Sequence, residues 1–194
     1  MKYFIISVLI CLSAMLCLGY LPPEMDNLNK SEILIDSISE QEKLKENLKV
    51  NLTKEVKNYI SNNSKHSDES LIIEISEQIV NKALDNHIDI CFILAQGHIE
   101  TAFGSYGIGK SKKSIFGVYK NYSSYTDCID FYVNLLCKHY LVNKSEYDLM
   151  NNYTSKQGYR YAEDLNYEFK LKRCYNKIKT STEIFEIQEK YHVA

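Results

Sequence analysis

The sequence contains no tryptophan, and only two prolines and seven glycines in 194 residues. That scarcity excludes a collagen-like or Pro/Gly-rich disordered chain. Neither sign of charge is in excess: 23 Lys and Arg stand against 25 Asp and Glu, a net charge of −2. A chain that holds nucleic acid usually advertises a basic balance, so no nucleic-acid partner is expected. Cys-x-x-Cys and His-Glu-x-x-His are both missing, and His66, His87, His98, His139 and His192 fall at no zinc spacing. Cys137 and His139 lie on different faces of an expected helix and make a poor ligand pair. No internal repeat is visible, and alternating apolar residues are too few for a large sheet.

What remains is a soluble globular profile, 45% hydrophobic and 25% charged, long enough for one domain with appendages. Sixteen tyrosines are present, and 13 of them lie beyond residue 100. Such a half suits either a wet aromatic groove or a core in which Tyr replaces Phe on half-buried faces.

Residues 3–21 form an apolar run behind Lys2, with Cys17 and Gly19 three and one positions before a cut ahead of Tyr20. This describes a secretory signal, and its length also suffices for a membrane anchor. Either version directs the rest of the chain to the exported side, because Lys2 stays inside and Glu24 and Asp26 lie beyond the run. Leu16 before Cys17 and Ile10 before Cys11 argue against a lipid-modified cysteine. Four cysteines follow the run, and Cys91 and Cys128 fall in apolar helical stretches that favour buried free thiols.

Residues 22–65 are polar and carry an apolar stripe at intervals of four from Leu44 to Ile60, which predicts a helical spacer ending at Asn62-Asn63-Ser64. A domain over 66–194 should follow. Ser67 or Asp68 caps a helix from Glu69 to about Leu84, with Leu71, Ile72, Ile75, Ile79 and Ala83 on its core face. Asp89 opens a second helix that is apolar all round from Ile90 to Ala95 and then turns polar at Gln96, His98, Glu100 and Thr101. A buried helix with a polar last turn must deliver those residues to a cleft or to partners. The stretch from Gly104 to Tyr125 reads as loop, with a short strand over 115–119. Ser124-x-x-Asp127 starts a helix to about Tyr140. Further helices are expected near 147–152, 155–161 and 167–179.

Glu100 is the leading candidate for chemistry. A carboxyl at the rim of an apolar core has its charged form disfavoured, and the raised pKa suits a general acid near neutral pH. Gln96 lies one turn earlier on the same face. On helix position alone, pairing with Lys110 or Lys112 would serve Glu100 equally well.

Four segments in order carry a resemblance. LAQGHIETAFG at 94–104 resembles the Leu-Ala-Gln, Glu-Ser, Gly segment of the glucosaminidase family, glycoside hydrolase family 73, and is similar to that of lytic transglycosylases. SIFGVY at 114–119 resembles the family's Asn-Leu-Phe-Gly-Ile stretch. YSSYTDCIDFYVNLL at 122–136 resembles its Tyr-x-Ser helix, and GYRYAEDLNYEFKL at 158–171 its Tyr-Ala-Thr-Asp-x-x-Tyr signature. The resemblance implies a mainly α, lysozyme-like domain that cleaves the glycan strands of peptidoglycan outside the membrane. It makes Glu100 the catalytic acid, Tyr161 the cleft tyrosine, and Phe116 and Gly117 the cleft floor. Gln96, Tyr119, Tyr122 and Tyr125 join them as candidate substrate-binding residues. No cofactor is implied, since protonation and electrostatic stabilisation suffice.

The departures are informative. Thr101 and Glu163 replace Ser and Thr of the family pattern. Only Tyr119, Lys120 and Asn121 separate Val118 from Tyr122, where many members carry a β-lobe that often supplies a second carboxylate. The lobe is therefore expected to be strongly reduced. Asp127, Asp130, Glu163 and Asp164 are the remaining acidic candidates, with Asp127 reading as a helix cap and Asp164 as a turn residue. Three routes stay open: a carboxylate that positions water, assistance by the substrate's N-acetyl group, or attack by the sugar's 6-hydroxyl as in transglycosylases.

Overall fold

The computed structural model describes residues 30–118 and 120–194, so the expected export segment 1–21 and Tyr119 lie outside the described residues. In chain order the helices are α1 (Lys30–Asn63), α2 (Glu69–Asp85), α3 (Ile90–Thr101), α4 (Gly107–Lys112), α5 (Tyr125–Leu135), α6 (Glu146–Leu149), α7 (Tyr167–Ser181) and α8 (Ile184–Val193). A π-turn, Leu136–Tyr140, extends α5. The expected mainly α fold is observed, and among the described residues the only β pairing is one antiparallel bridge, Thr154 with Arg160. No helix among the described residues is long and apolar enough to cross a membrane.

The chain divides into two units, 1–44 and Lys45–Ala194. The first holds the start of α1. In the second, Leu52, Val56, Tyr59 and Ile60 of the same helix are buried in the core. Within the expected spacer the stripe at intervals of four thus serves, from Leu52 to Ile60, as a packing face of this unit.

The core is centred on α3, whose residues Ile90 to Ala95 are all fully buried. A helix N-terminus in the interior needs partners for its free N–H groups. Asp89 accepts from Cys91 N at 2.8 Å, and Gln188 of α8 accepts from Ile90 N at 2.9 Å while its amide donates to Ile88 O at 2.8 Å. Tyr175 of α7 donates to the second Asp89 oxygen at 2.7 Å, which ties this end to the helix that packs most extensively on α3. At the other end the chain turns through left-handed Ala102 and Phe103. There Thr101 Oγ1 donates to Ile115 O at 2.6 Å and accepts from Gly104 N at 2.7 Å. Those two bonds bring the 115–118 segment beside the last turn of α3.

Three local expectations are corrected. Residues 115–118 form no strand, because their backbone groups bond the side chains of Thr101, Cys128, Tyr161 and Ser114 rather than a ladder. The glycine-rich stretch contains the short helix α4. Residues 155–161 form a tight hairpin instead of a helix, closed by Ser155 N to Tyr159 O at 2.8 Å and Tyr161 N to Tyr153 O at 2.9 Å. The four cysteines of the described residues are free thiols, and Cys91 and Cys128 are buried.

Candidate active site

Glu100 emerges from the last turn of α3 into a cleft of about 590 Å³. The cleft is lined by Gly117 and Val118, by Tyr140, Tyr161 and Tyr167, and by Glu163, Asp164 and Lys170. The carboxyl is half-buried. Burial pushes its pKa above the ordinary glutamate value, while a hydrogen bond from Tyr167 pulls it back in part. That bond runs from the Tyr167 hydroxyl to Glu100 Oε1 at 2.6 Å.

Glu100 Oε2 faces Gly117. A Cβ on Gly117 would fall 2.7 Å from Glu100 Cδ, and the backbone there has φ +70°. Only glycine satisfies both demands without strain. The glycine thus lets the chain pass against the carboxyl and leaves Oε2 facing the cleft floor.

Tyrosines build the adjoining wall. Tyr153 stacks on Tyr161 with centroids 4.5 Å apart and planes within 14°. Tyr161 lies 5.6 Å from Tyr167 and 5.6 Å edge-on from Tyr140, which the π-turn carries to the cleft. Each such contact contributes about 0.5–1.5 kcal/mol beyond area burial. The Tyr161 hydroxyl donates to Phe116 O, so the wall is bonded to the floor. Beneath them, Gln96 Oε1 accepts from Tyr153 at 2.8 Å and from Tyr132. The loop is clamped from outside by Arg160 to Glu168 at 2.7 Å and Lys170 to Asp164 at 2.6 Å.

Glu100, Gly117 and Tyr161 therefore share one cleft. Other expected members do not. Gln96 is fully buried, because the side of α3 that carries it is covered by Tyr132 and Tyr153. Phe116 is fully buried with its ring stacked on Tyr132 at 3.7 Å, so only its carbonyl serves the site. Tyr122 packs against Phe131 at 5.8 Å and does not line the cleft, and Tyr125 is buried with its hydroxyl on Gly104 O at 3.0 Å. Tyr122 thus ties the shortened lobe region to α5, and Tyr125 ties the start of α5 to the turn after α3.

Two cleft tyrosines went unnamed from sequence. Tyr167 had a signal, since it ends the Tyr-Ala-Thr-Asp-x-x-Tyr pattern. Tyr140 had none, because a π-turn leaves no periodic mark. Among the described residues no group of three or more His, Cys, Asp or Glu stands placed to hold a metal ion.

A half-buried carboxyl in a tyrosine-walled cleft, reached by four ordered segments, agrees with what a family comparison finds. The family model for glucosaminidase, described as mannosyl-glycoprotein endo-beta-N-acetylglucosaminidase, matches residues 76–180, more than half of the chain. The chain belongs to the glucosaminidase family. No curated protein and no solved structure gives a match. The matched span runs from α2 through most of α7 and contains every cleft residue named above. Membership makes this a glycosidase domain, with peptidoglycan glucosaminidase activity at the level of the family and an envelope or extracellular setting.

Proposed function

We propose that the protein is an exported endo-β-N-acetylglucosaminidase that hydrolyses the glycan strands of peptidoglycan, with Glu100 as its general acid. One observation carries the reading: Glu100 is the half-buried carboxyl of the cleft, with its pKa raised by burial and one oxygen held by Tyr167. With Oε1 engaged by a donor, the acidic proton belongs on Oε2, which lies where a side chain at position 117 would stand. The glycosidic oxygen approaches there and takes that proton as the C1–O bond breaks. Tyr161 and Tyr140 offer ring surface with polar edges to the flanking sugars. Residues 3–21 would carry the chain to its substrate as a cleaved signal or retained anchor.

The shortened lobe supports a second reading, a lytic transglycosylase with one essential carboxylate. Digestion of purified peptidoglycan with mass spectrometry of the products decides between them. Reducing N-acetylglucosamine ends are expected; 1,6-anhydro ends would establish the transglycosylase. Glu100→Gln should lower turnover by roughly 10²–10⁴-fold, the usual worth of general acid catalysis. Retention of more than about a tenth of the activity, outside that range, would remove Glu100 from the role.

A further inference from the structure

Direct hydrolysis of a glycoside needs a second carboxylate across the scissile bond from the acid, to activate water or to attack C1. The three residues between Val118 and Tyr122 contain none. Besides Glu100, two carboxylates line the cleft, Glu163 and Asp164. Asp164 is occupied: one oxygen accepts from Lys170 Nζ at 2.6 Å, the other from Asn166 N at 2.9 Å. A carboxylate so neutralised is a poor proton acceptor. Asp130 is engaged by Gln78 and by Lys82 at 3.1 Å, and Asp127 sits exposed in the first turn of α5; neither lines the cleft.

Glu163 differs from all of them. It is exposed, and among the described residues it makes no hydrogen bond or ion pair, so both oxygens are open to water. Its backbone is nonetheless well anchored. Two residues earlier Tyr161 N is bonded to Tyr153 O at 2.9 Å, and one residue later Asp164 is held by Lys170.

We infer that Glu163 is the second catalytic carboxylate, the general base for the attacking water. The inference rests on the hydrolase reading above. In the step, Glu100 transfers its proton to the glycosidic oxygen, which leaves with the electron pair of the C1–O bond. Water forms the new bond to C1, and its proton passes to the Glu163 carboxylate. Glu100 ends ionised and Glu163 protonated, and exchange with solvent resets both. A single displacement of this kind inverts C1, so the β-linked strand yields an α-configured reducing end. A residue of the 161–164 loop thereby takes over work that the absent lobe would do.

The test compares the full-length protein with Glu163→Gln, Glu163→Ala, Asp164→Asn and Glu100→Gln on solubilised peptidoglycan strands. Thermal melts serve as the fold control. Glu163→Gln should lower kcat by roughly 10²–10⁴-fold, the usual worth of general base catalysis, with little change in KM. Azide should restore turnover to Glu163→Ala in part, and fresh product should be the α-anomer by NMR. Asp164→Asn, a change to a residue held by Lys170, should lose far less than Glu163→Gln. Near wild-type kcat in Glu163→Gln, a change confined to KM, or β-anomeric product would each overturn the assignment. If Glu100→Gln is inactive, Glu163→Gln is active and the wild-type products carry reducing ends, the hydrolase reading stands and Glu163 alone is wrong. If Glu100→Gln is active, or the wild-type products are 1,6-anhydro ends, the underlying reading falls first.

Discussion

Gly117→Ala isolates the contact that places the carboxyl. The added methyl has two effects. Left-handed backbone at φ +70° costs a non-glycine residue about 1–2 kcal/mol. At roughly 2–4 °C per kcal/mol for a chain of this size, that alone lowers Tm by several degrees. The new Cβ also falls 2.7 Å from Glu100 Cδ, where ordinary contact starts near 3.4 Å. Glu100 Oε2 lies nearer still to that position, so the carboxyl must retreat by at least about 0.7 Å, which strains the 2.6 Å bond from Tyr167. Misplacement of a reacting group by about 1 Å can cost on the order of 10²-fold, so kcat should fall by roughly 10–10²-fold. Gly107→Ala is the control: its φ is +47°, yet nothing lies within 4 Å of its Cβ position. It should lose stability and keep turnover. The assay pairs melting curves with initial rates of reducing-end release. Unchanged kcat in Gly117→Ala, or an equal kcat loss in both variants, would refute the idea that this glycine makes room for the acid.

Burial of Glu100 also predicts how stability depends on pH. Its folded pKa is raised, so between the ordinary glutamate value and the raised one the folded chain binds more protons than the unfolded chain, and stability falls as pH rises through that window. Urea titrations should find Glu100→Gln gaining stability relative to wild type on going from pH 4 to pH 7; a relative loss would contradict the raised pKa. Tyr167→Phe removes the donor that lowers the Glu100 pKa, so the alkaline limb of the pH–rate profile should move to higher pH, and an unmoved limb would place that hydroxyl outside the chemistry. Tyr161→Phe should depress kcat more than it weakens glycan binding, because only the hydroxyl on Phe116 O is lost, whereas Tyr159→Phe, at a ring 74% exposed, should change neither. Equal behaviour of the two tyrosine variants in steady-state kinetics would reduce Tyr161 to a packing residue.

The sequence by itself determined the capped starts of α2, α3 and α5 and most of the face that α2 buries. Of the expected stripe, Ile72, Ile75, Ile79 and Ala83 are buried and Leu71 is half-buried, and Asp68, Asp89 and Ser124 all cap the helices that follow them. Such features depend on neighbours within one turn, which a linear string records directly. It also marked Glu100, because a fully apolar helix that suddenly becomes polar has to open somewhere.

What faces the opening was decided only by tertiary structure. Gln96 and Glu100 stand one turn apart on one face of α3 and look alike in sequence. Tyr132 and Tyr153 cover the first and make it a core acceptor, while Gly117 and Tyr167 leave the second at the cleft. The bond between Tyr167 and Glu100 spans 67 positions. Glu163 reaches the same cleft only because a hairpin, where a helix was expected, delivers its loop there. Leu52 to Ile60 likewise enter the core through contacts that their own stripe does not name. Periodicity states that a face is apolar; which residues cover it, and which polar group is left beside water, depends on segments far apart in the chain meeting in space.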